Sequence, residues 1–237
     1  MSVFRCKQFD VQQNEAVFKV NTDAMLLGAW TQASFFPQNI LDIGTGTGVL
    51  ALMMAQKFSQ AIIQAIDISA EAVALAQRNF VESAWKNRLA AQQADVNIWQ
   101  KDHRQRYDII ISNPPYFSQS ILPQKAHLQT AKHCKSLNYR QLIEAIANML
   151  QPAGNAFVIV PADVWKIFQH TAATHSLKVQ KLLWVGSYSF SKPHRVLACL
   201  GFETMLAEET SLFIYNDGTT QHSEAYRQLT KDFHWHY

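Results

Sequence analysis

Asn39-Ile40-Leu41-Asp42-Ile43-Gly44-Thr45-Gly46-Thr47-Gly48 runs from a short apolar segment into three alternating glycines, and Val49 to Lys57 then reads as a helix. That order opens an α/β unit, because glycine enters positive φ freely enough to turn a buried strand back into its helix. Working outward, Ile62 to Asp67 is a second strand ending in an acid. Ser69 caps a helix reaching about Ala84, with Val73, Ala76, Phe80 and Ala84 on its inward stripe. A weak third strand, Arg88 to Gln92, is followed by Asp95, and Tyr107 to Ile111 is a strong fourth that meets Asn113-Pro114-Pro115-Tyr116. An irregular stretch from Phe117 to about Ser136 leads to a helix from Leu137 to Leu150. Pro152-Ala153-Gly154 ends that helix, Ala156 to Val160 returns to the sheet, and Ala162 to His175 is helical. Val179–Val185, Val196–Phe202 and Ser211–Tyr215 follow as strands without a long helix between them, which predicts an antiparallel hairpin at the C-terminal sheet edge. Ser223 caps a closing helix through Leu229. The expected fold is α/β: a doubly wound, mostly parallel, seven-stranded sheet in one domain spanning residues 1–237.

Composition agrees with one large domain. Of 237 residues, 48% are hydrophobic and only 16% charged, which excludes a disordered chain. No run approaches the roughly 18 apolar residues of a membrane span, and the start MSVFRCKQFD lacks a signal peptide's apolar core, so a cytoplasmic location is expected. Cys6, Cys134 and Cys199 are scattered without a C-x-x-C pair, and the histidines have no ligand spacing; structural thiols and no metal site are expected. The net charge of +3 says little, but its distribution says more. Lys125, Lys132, Lys135 and Arg140 lie in an acid-free stretch between Ile109 and Ile143. Lys166, Lys178, Lys181, Lys192 and Arg195 lie in another between Val164 and Phe202. Such stretches suit a phosphate backbone, with an ordinary solvated surface as the alternative.

In a doubly wound sheet, ligands bind outside the carboxyl ends of the strands. Here those ends carry Gly44 to Gly48, Asp67, Asp95 and Asn113 to Tyr116. The loop is G-x-G-x-G preceded by Asp42, whereas a dinucleotide loop is normally G-x-G-x-x-G. An acid there repels a pyrophosphate and suits a cationic, phosphate-free cofactor such as a sulfonium amino acid joined to adenosine. A nicotinamide cofactor stays open at this point. Asp67, at the end of the next strand, is placed to accept ribose hydroxyls.

Asn113-Pro114-Pro115-Tyr116 supplies the acceptor side. Two prolines remove two backbone donors and stiffen the turn, so the neighbouring carbonyls can point outward. A planar NH2 group offers two hydrogens, one for the Asn113 side-chain carbonyl and one for the Pro114 backbone carbonyl. The nitrogen lone pair is then aimed at the cofactor with reacting atoms about 3 to 3.5 Å apart. Tyr116 and Phe117 can stack on a flat acceptor taken out of its own stack.

Glycine loop and N-P-P-Y together resemble class I, Rossmann-like methyltransferases that modify amino and amide nitrogens. More closely, the chain resembles the bacterial tRNA1(Val) adenine-37 N6-methyltransferases from about Phe4 onward. The likeness includes Lys7-Gln8-Phe9, Lys19-Val20-Asn21-Thr22-Asp23, Leu27-Gly28-Ala29-Trp30, Pro193-His194-Arg195-Val196-Leu197 and Ser223 to Thr230. The resemblance implies S-adenosyl-L-methionine as cofactor and tRNA as partner, with no DNA, membrane or obligate protein partner. It implies that residues 1–30 cover the cofactor site, with Thr22 and Asp23 over its methionine end. Asp42, Gly44, Gly46 and Gly48 form its loop, Asp67 meets the ribose and Asp95 the cofactor adenine. Asn113, Pro114 and Tyr116 are the implied catalytic residues, Asn113 also facing the cofactor, and Phe117, Lys132, His194 and Arg195 complete the substrate side. Asn21 stands where glycine is frequent, which asparagine can imitate if positive φ is needed. Methylation of a protein glutamine is the alternative the same Asn113 and Pro114 acceptors would serve.

Overall fold

The computed structural model describes residues 2–114 and 138–235. An antiparallel ribbon of β1 (Ser2–Arg5) and β2 (Asp10–Gln13) opens the chain and leads to α1 (Thr22–Trp30). The alternating part runs β3 (Asn39–Ile43), α2 (Val49–Lys57), β4 (Ile62–Asp67), α3 (Ala70–Glu82), β5 (Leu89–Gln93), α4 (Val96–Asp102) and β6 (Tyr107–Ser112). From residue 138 onward come α5 (Tyr139–Met149), β7 (Leu150–Pro161), α6 (Trp165–Thr174), β8 (Lys178–Gly186), β9 (Arg195–Gly201), β10 (Glu208–Phe213) and α7 (Glu224–Thr230).

The main sheet has the order β10-β8-β9-β7-β6-β3-β4-β5, and β9 runs against its neighbours. β8 and β9 form the expected hairpin, from Lys178 opposite Gly201 to Val185 opposite Arg195. The sheet has eight strands rather than the seven of the expected fold, in keeping with the eight segments read as strands; the last of them, β10, begins three residues before the expected Ser211–Tyr215 and pairs parallel to β8 at the outer edge. Its first four residues, Glu208 to Ser211, are exposed, so this edge strand lacks the apolar alternation that marks a half-buried one.

Alternation explains the layers. Ile109 and Ile111 of β6 enter one core and Ile110 the other, and Phe157 and Ile159 of β7 oppose Ala156, Val158 and Val160 in the same way. α2, α3, α1 and α7 cover the first face, while α4, α5 and α6 cover the second. Helix starts are set by side-chain oxygens. Ser69 accepts from the Ala72 amide at 3.2 Å and Ser223 from Tyr226 at 3.1 Å, while Asn138 forms a reciprocal capping box with Gln141. Pro152-Ala153-Gly154 lies inside the start of β7 and leaves no loop between helix and strand. Gly154 fits there because a Cβ would lie 2.9 Å from the Asp108 carbonyl oxygen.

The sheet positions a site through its winding. β4 and β5 extend to one side of β3, and β6 and β7 to the other. The topological switch point therefore falls between β3 and β6, where a doubly wound sheet opens its ligand crevice. The two segments with the strongest sequence signal follow these two strands.

Candidate active site

The loop after β3 is stitched to the end of β4. Gly44 and Thr45 amides donate to the Ile66 carbonyl at 2.8 and 3.1 Å, and the Gly46 amide donates to Asp67 Oδ2 at 3.0 Å. The three loop glycines all have positive φ, yet they do different work. Gly44 is exposed, with φ +74°, and a Cβ added there meets nothing within 4 Å. At Gly46 a Cβ meets only Val17 Cγ1, at 3.8 Å. Gly48 is buried, and a Cβ there would lie 2.6 Å from the Phe80 ring. Gly48 therefore lets α2 pack against α3, while Gly44 and Gly46 leave a cradle open on the rim.

Asp42 sits beneath that cradle, fully buried. Its Oδ2 accepts the Thr45 hydroxyl at 2.6 Å, and its Oδ1 is buried without a hydrogen-bond partner among the described residues. Burial pushes its carboxyl from 3.8 up to about 7; Thr45 and the Ala51 amide pull the other way, and the nearby Asp67 adds to the rise. Among the described residues this acid has no positive partner. A cationic ammonium or sulfonium supplies one, so the residues fit a sulfonium cofactor better than a phosphate-bearing one.

Asp67 spends one lone pair of each oxygen on a backbone amide: Oδ2 on Gly46, and Oδ1 on Ser69 at 2.9 Å. The remaining lone pairs are available to a diol. Asp95 is the N-cap of α4, with Oδ1 accepting from the Asn97 backbone and side-chain nitrogens at 2.9 and 2.8 Å. Opposite, Ser112 ties β6 to β3 through a 2.8 Å hydrogen bond to the Ile43 carbonyl. Asn113, half-buried, and Pro114, buried, emerge from that anchored end. Tyr116, Phe117 and Lys132 lie outside the described residues, as do Lys125, Lys135 and Cys134.

Thr22 and Asp23 occupy the first turn of α1, capped by Asn21, whose side chain accepts from the Ala24 amide at 3.0 Å. Asn21 has φ −132°, so its role is capping and no positive φ is involved. Asp23 Oδ2 accepts from Arg195 Nε at 3.0 Å, and Arg195 Nη1 also donates to the His194 carbonyl at 3.0 Å. Arg195 is thus first a clamp between β9 and α1. Its neighbour His194 is held below its ordinary 6.5 by burial and by the Arg195 charge, against the pull of Asp23. The imidazole is therefore neutral near pH 7 and supplies hydrogen bonds rather than a cation. The second basic stretch does not form one face: Lys181 pairs with Glu208 at 3.2 Å, and Lys178 starts β8 at the opposite end from the rim.

Two residues that the sequence did not single out hold this geometry. Asn79 on α3 is buried and donates to the Thr47 carbonyl at 2.8 Å and the Gln12 carbonyl at 3.1 Å, while accepting from the Gln12 amide at 2.9 Å. It joins the N-terminal ribbon to the glycine loop. Lys57 Nζ donates to the carbonyls of Gly28, Ala29 and Thr31, closing the C-terminus of α1. Val17, beyond the ribbon, packs with Ala72 and Leu75 next to Gly46. Among the described residues no group of His, Cys, Asp and Glu is placed to hold a metal, and no helix is long and apolar enough to cross a membrane.

An open, acid-backed glycine cradle after β3, with Asn113-Pro114 following the adjacent β6 at the switch point, marks a methyltransferase, and the methyltransferase small domain family model matches residues 11–167. At 16% identity, a predicted O-methyltransferase from Agrobacterium tumefaciens shares the fold with TM-score 0.69, covering 89% of this chain and 96% of that one. Relatives extend over nearly the whole sequence. A tRNA1(Val) (adenine(37)-N6)-methyltransferase of Bacteroides fragilis strain YCH46 is 34% identical over 98% of this chain and 97% of its own. One of Vibrio cholerae serotype O1 strain M66-2 is 38% identical over 98% of this chain and 94% of its own. The chain belongs to the tRNA1(Val) (adenine(37)-N6)-methyltransferase family.

Proposed function

We propose that the protein transfers the methyl group of S-adenosyl-L-methionine to the exocyclic N6 amine of adenine 37 in a tRNA1(Val)-type substrate, working in the cytoplasm. The observation that carries this reading is the placement, on either side of the β3–β6 switch point, of Asn113-Pro114 and of an open cradle over Asp42, whose buried Oδ1 has no hydrogen-bond partner among the described residues. When bound, S-adenosyl-L-methionine supplies an electrophilic methyl whose sulfur leaves as a neutral thioether. Asp42 balances the cofactor's positive charge from below the loop. Gly44 and Gly46 admit its amino-acid moiety, Asp67 accepts from the ribose hydroxyls, and Asp95 accepts from the adenine amine. Thr22 and Asp23 face the methionine end, and the Arg195 clamp fixes the start of α1 there. Gly48 supports the loop by packing. Segment 1–30 covers the site, a reading supported by Val17 beside Gly46.

Asn113 and Pro114 accept the two N6 hydrogens and set the lone pair in line with the methyl carbon. With both N6 hydrogens held by Asn113 and Pro114, the amine would need no general base before receiving the methyl that the cofactor would supply, and its surplus proton would pass to water afterwards. Most of the rate gain is alignment of the two reactants. Tyr116 and Phe117 stack on the flipped adenine, and Lys132 with His194 contacts the RNA chain. The test is Asn113→Ala with tRNA and isotopically labelled cofactor. Cofactor affinity is expected to stay within about threefold, while methyl transfer falls at least about tenfold. Equal transfer rates in both proteins would remove Asn113 from the mechanism.

A further inference from the structure

We propose that the stacked rings of Tyr188 and Phe190 form a platform for an unpaired RNA base flanking the target nucleotide. The inference rests on the RNA-methylating reading above and adds a second binding point to it. The rings lie in the loop between β8 and β9 with centroids 5.4 Å apart and an interplanar angle of 4°. Phe190 is 76% exposed, so one ring face meets solvent and the residue contributes nothing to the core. The pair lines a shallow, open groove of about 680 Å³ together with Gly218 to Gln221 after β10. Gly218, at φ +73°, would meet nothing within 4 Å if it carried a Cβ, so that side of the groove is open.

The loop is held ready. The Tyr188 hydroxyl donates to the Thr219 carbonyl at 3.2 Å, the Ser189 amide and hydroxyl both donate to Asp217, and the Ser191 amide donates to the Tyr188 carbonyl at 2.9 Å. Behind it, Tyr188 abuts Tyr215 at 5.8 Å, which stacks on His222 at 5.4 Å. A surface fixed before binding loses little entropy on docking. Tyr188 to Arg195 contains Lys192 and no acid, while Arg195 is engaged by Asp23 and the Ser189 hydrogen bonds keep Asp217 ionised at the edge of the groove.

Position selects RNA as the occupant. β8 is parallel to β7, so this loop opens on the rim that carries Asn113-Pro114 and is continuous with Pro193-His194-Arg195. β8 lies three strand intervals from β6, or about 14 Å at the usual strand spacing. That span suits a loop of a few nucleotides whose target base is drawn into the site and whose neighbour needs a new stacking partner. Aromatic rings serve this role for any base identity.

The test compares wild type, Phe190→Ala, Phe190→Leu and Phe190→Trp with intact tRNA. Phe190→Ala is expected to raise KM for tRNA about tenfold while kcat, cofactor affinity and melting temperature stay unchanged. Phe190→Leu should behave like Ala, and Phe190→Trp should restore KM. An unchanged KM in Phe190→Ala, with wild-type tRNA methylation intact, overturns the platform alone. Rescue by leucine also overturns it, replacing stacking with a generic apolar contact such as a protein partner makes. Absence of RNA methylation by the wild type would overturn the proposed function and the platform together.

Discussion

Asp42→Asn isolates the buried charge under the glycine loop. Folding raises this carboxyl from 3.8 to about 7, so the folded state favours its protonated form. The contribution to stability is whole below about pH 4 and is lost as pH climbs toward and through 7. At about 1.36 kcal/mol per pKa unit, the loss between pH 4 and 8 is about 4 kcal/mol. Asparagine keeps the shape and a carbonyl for the Thr45 hydroxyl, but it places an N–H where Oδ1 lacks a partner. Leaving that donor unsatisfied costs about 1–3 kcal/mol at every pH. The variant is therefore expected to be less stable than wild type at pH 4.5 and more stable at pH 8. Urea unfolding without cofactor, at half-unit steps across that range, measures the crossing. Cofactor binding should weaken at least about tenfold in the variant, and wild-type binding near pH 6 should release a proton. Stability curves that run parallel from pH 4.5 to 8 would refute the claim that Asp42 is a strained acid awaiting a cation.

The loop glycines should separate packing from binding. Gly48→Ala combines a left-handed backbone penalty with overlap against Phe80 and is expected to cost about 3 kcal/mol by urea unfolding. Gly44→Ala, whose Cβ enters open space, should cost only about 1 kcal/mol yet abolish cofactor binding measured by calorimetry. Asp23→Ala leaves the half-buried Arg195 without its 3.0 Å partner, and a loss of about 1 kcal/mol in thermal unfolding is expected.

The rim of this fold was readable because its residues break the patterns around them. Glycines, acids and a proline pair recur at the ends of apolar runs on successive strands, and packing at Gly48 and capping at Asp95 account for only part of that recurrence. What escaped was hidden by complete burial or by sequence distance. α1 is buried from Ala24 to Ala29, so it carries no amphipathic period, and α4 is seven residues long, with Asp95 appearing only as a strand-end acid. The Asp23–Arg195 clamp joins positions 172 apart, and Asn79 reads as one more polar residue on an amphipathic helix. Acid-free basic stretches misled in part, because Lys181 and Arg195 find their acids on other elements.

The central claim is tested most directly by incubating the purified protein and methyl-labelled S-adenosyl-L-methionine with tRNA from cells lacking this gene, followed by nucleoside mass analysis. Label is expected in N6-methyladenosine, located at position 37 after nuclease mapping. Cofactor binding without label in RNA, and label instead in a protein glutamine, would contradict it.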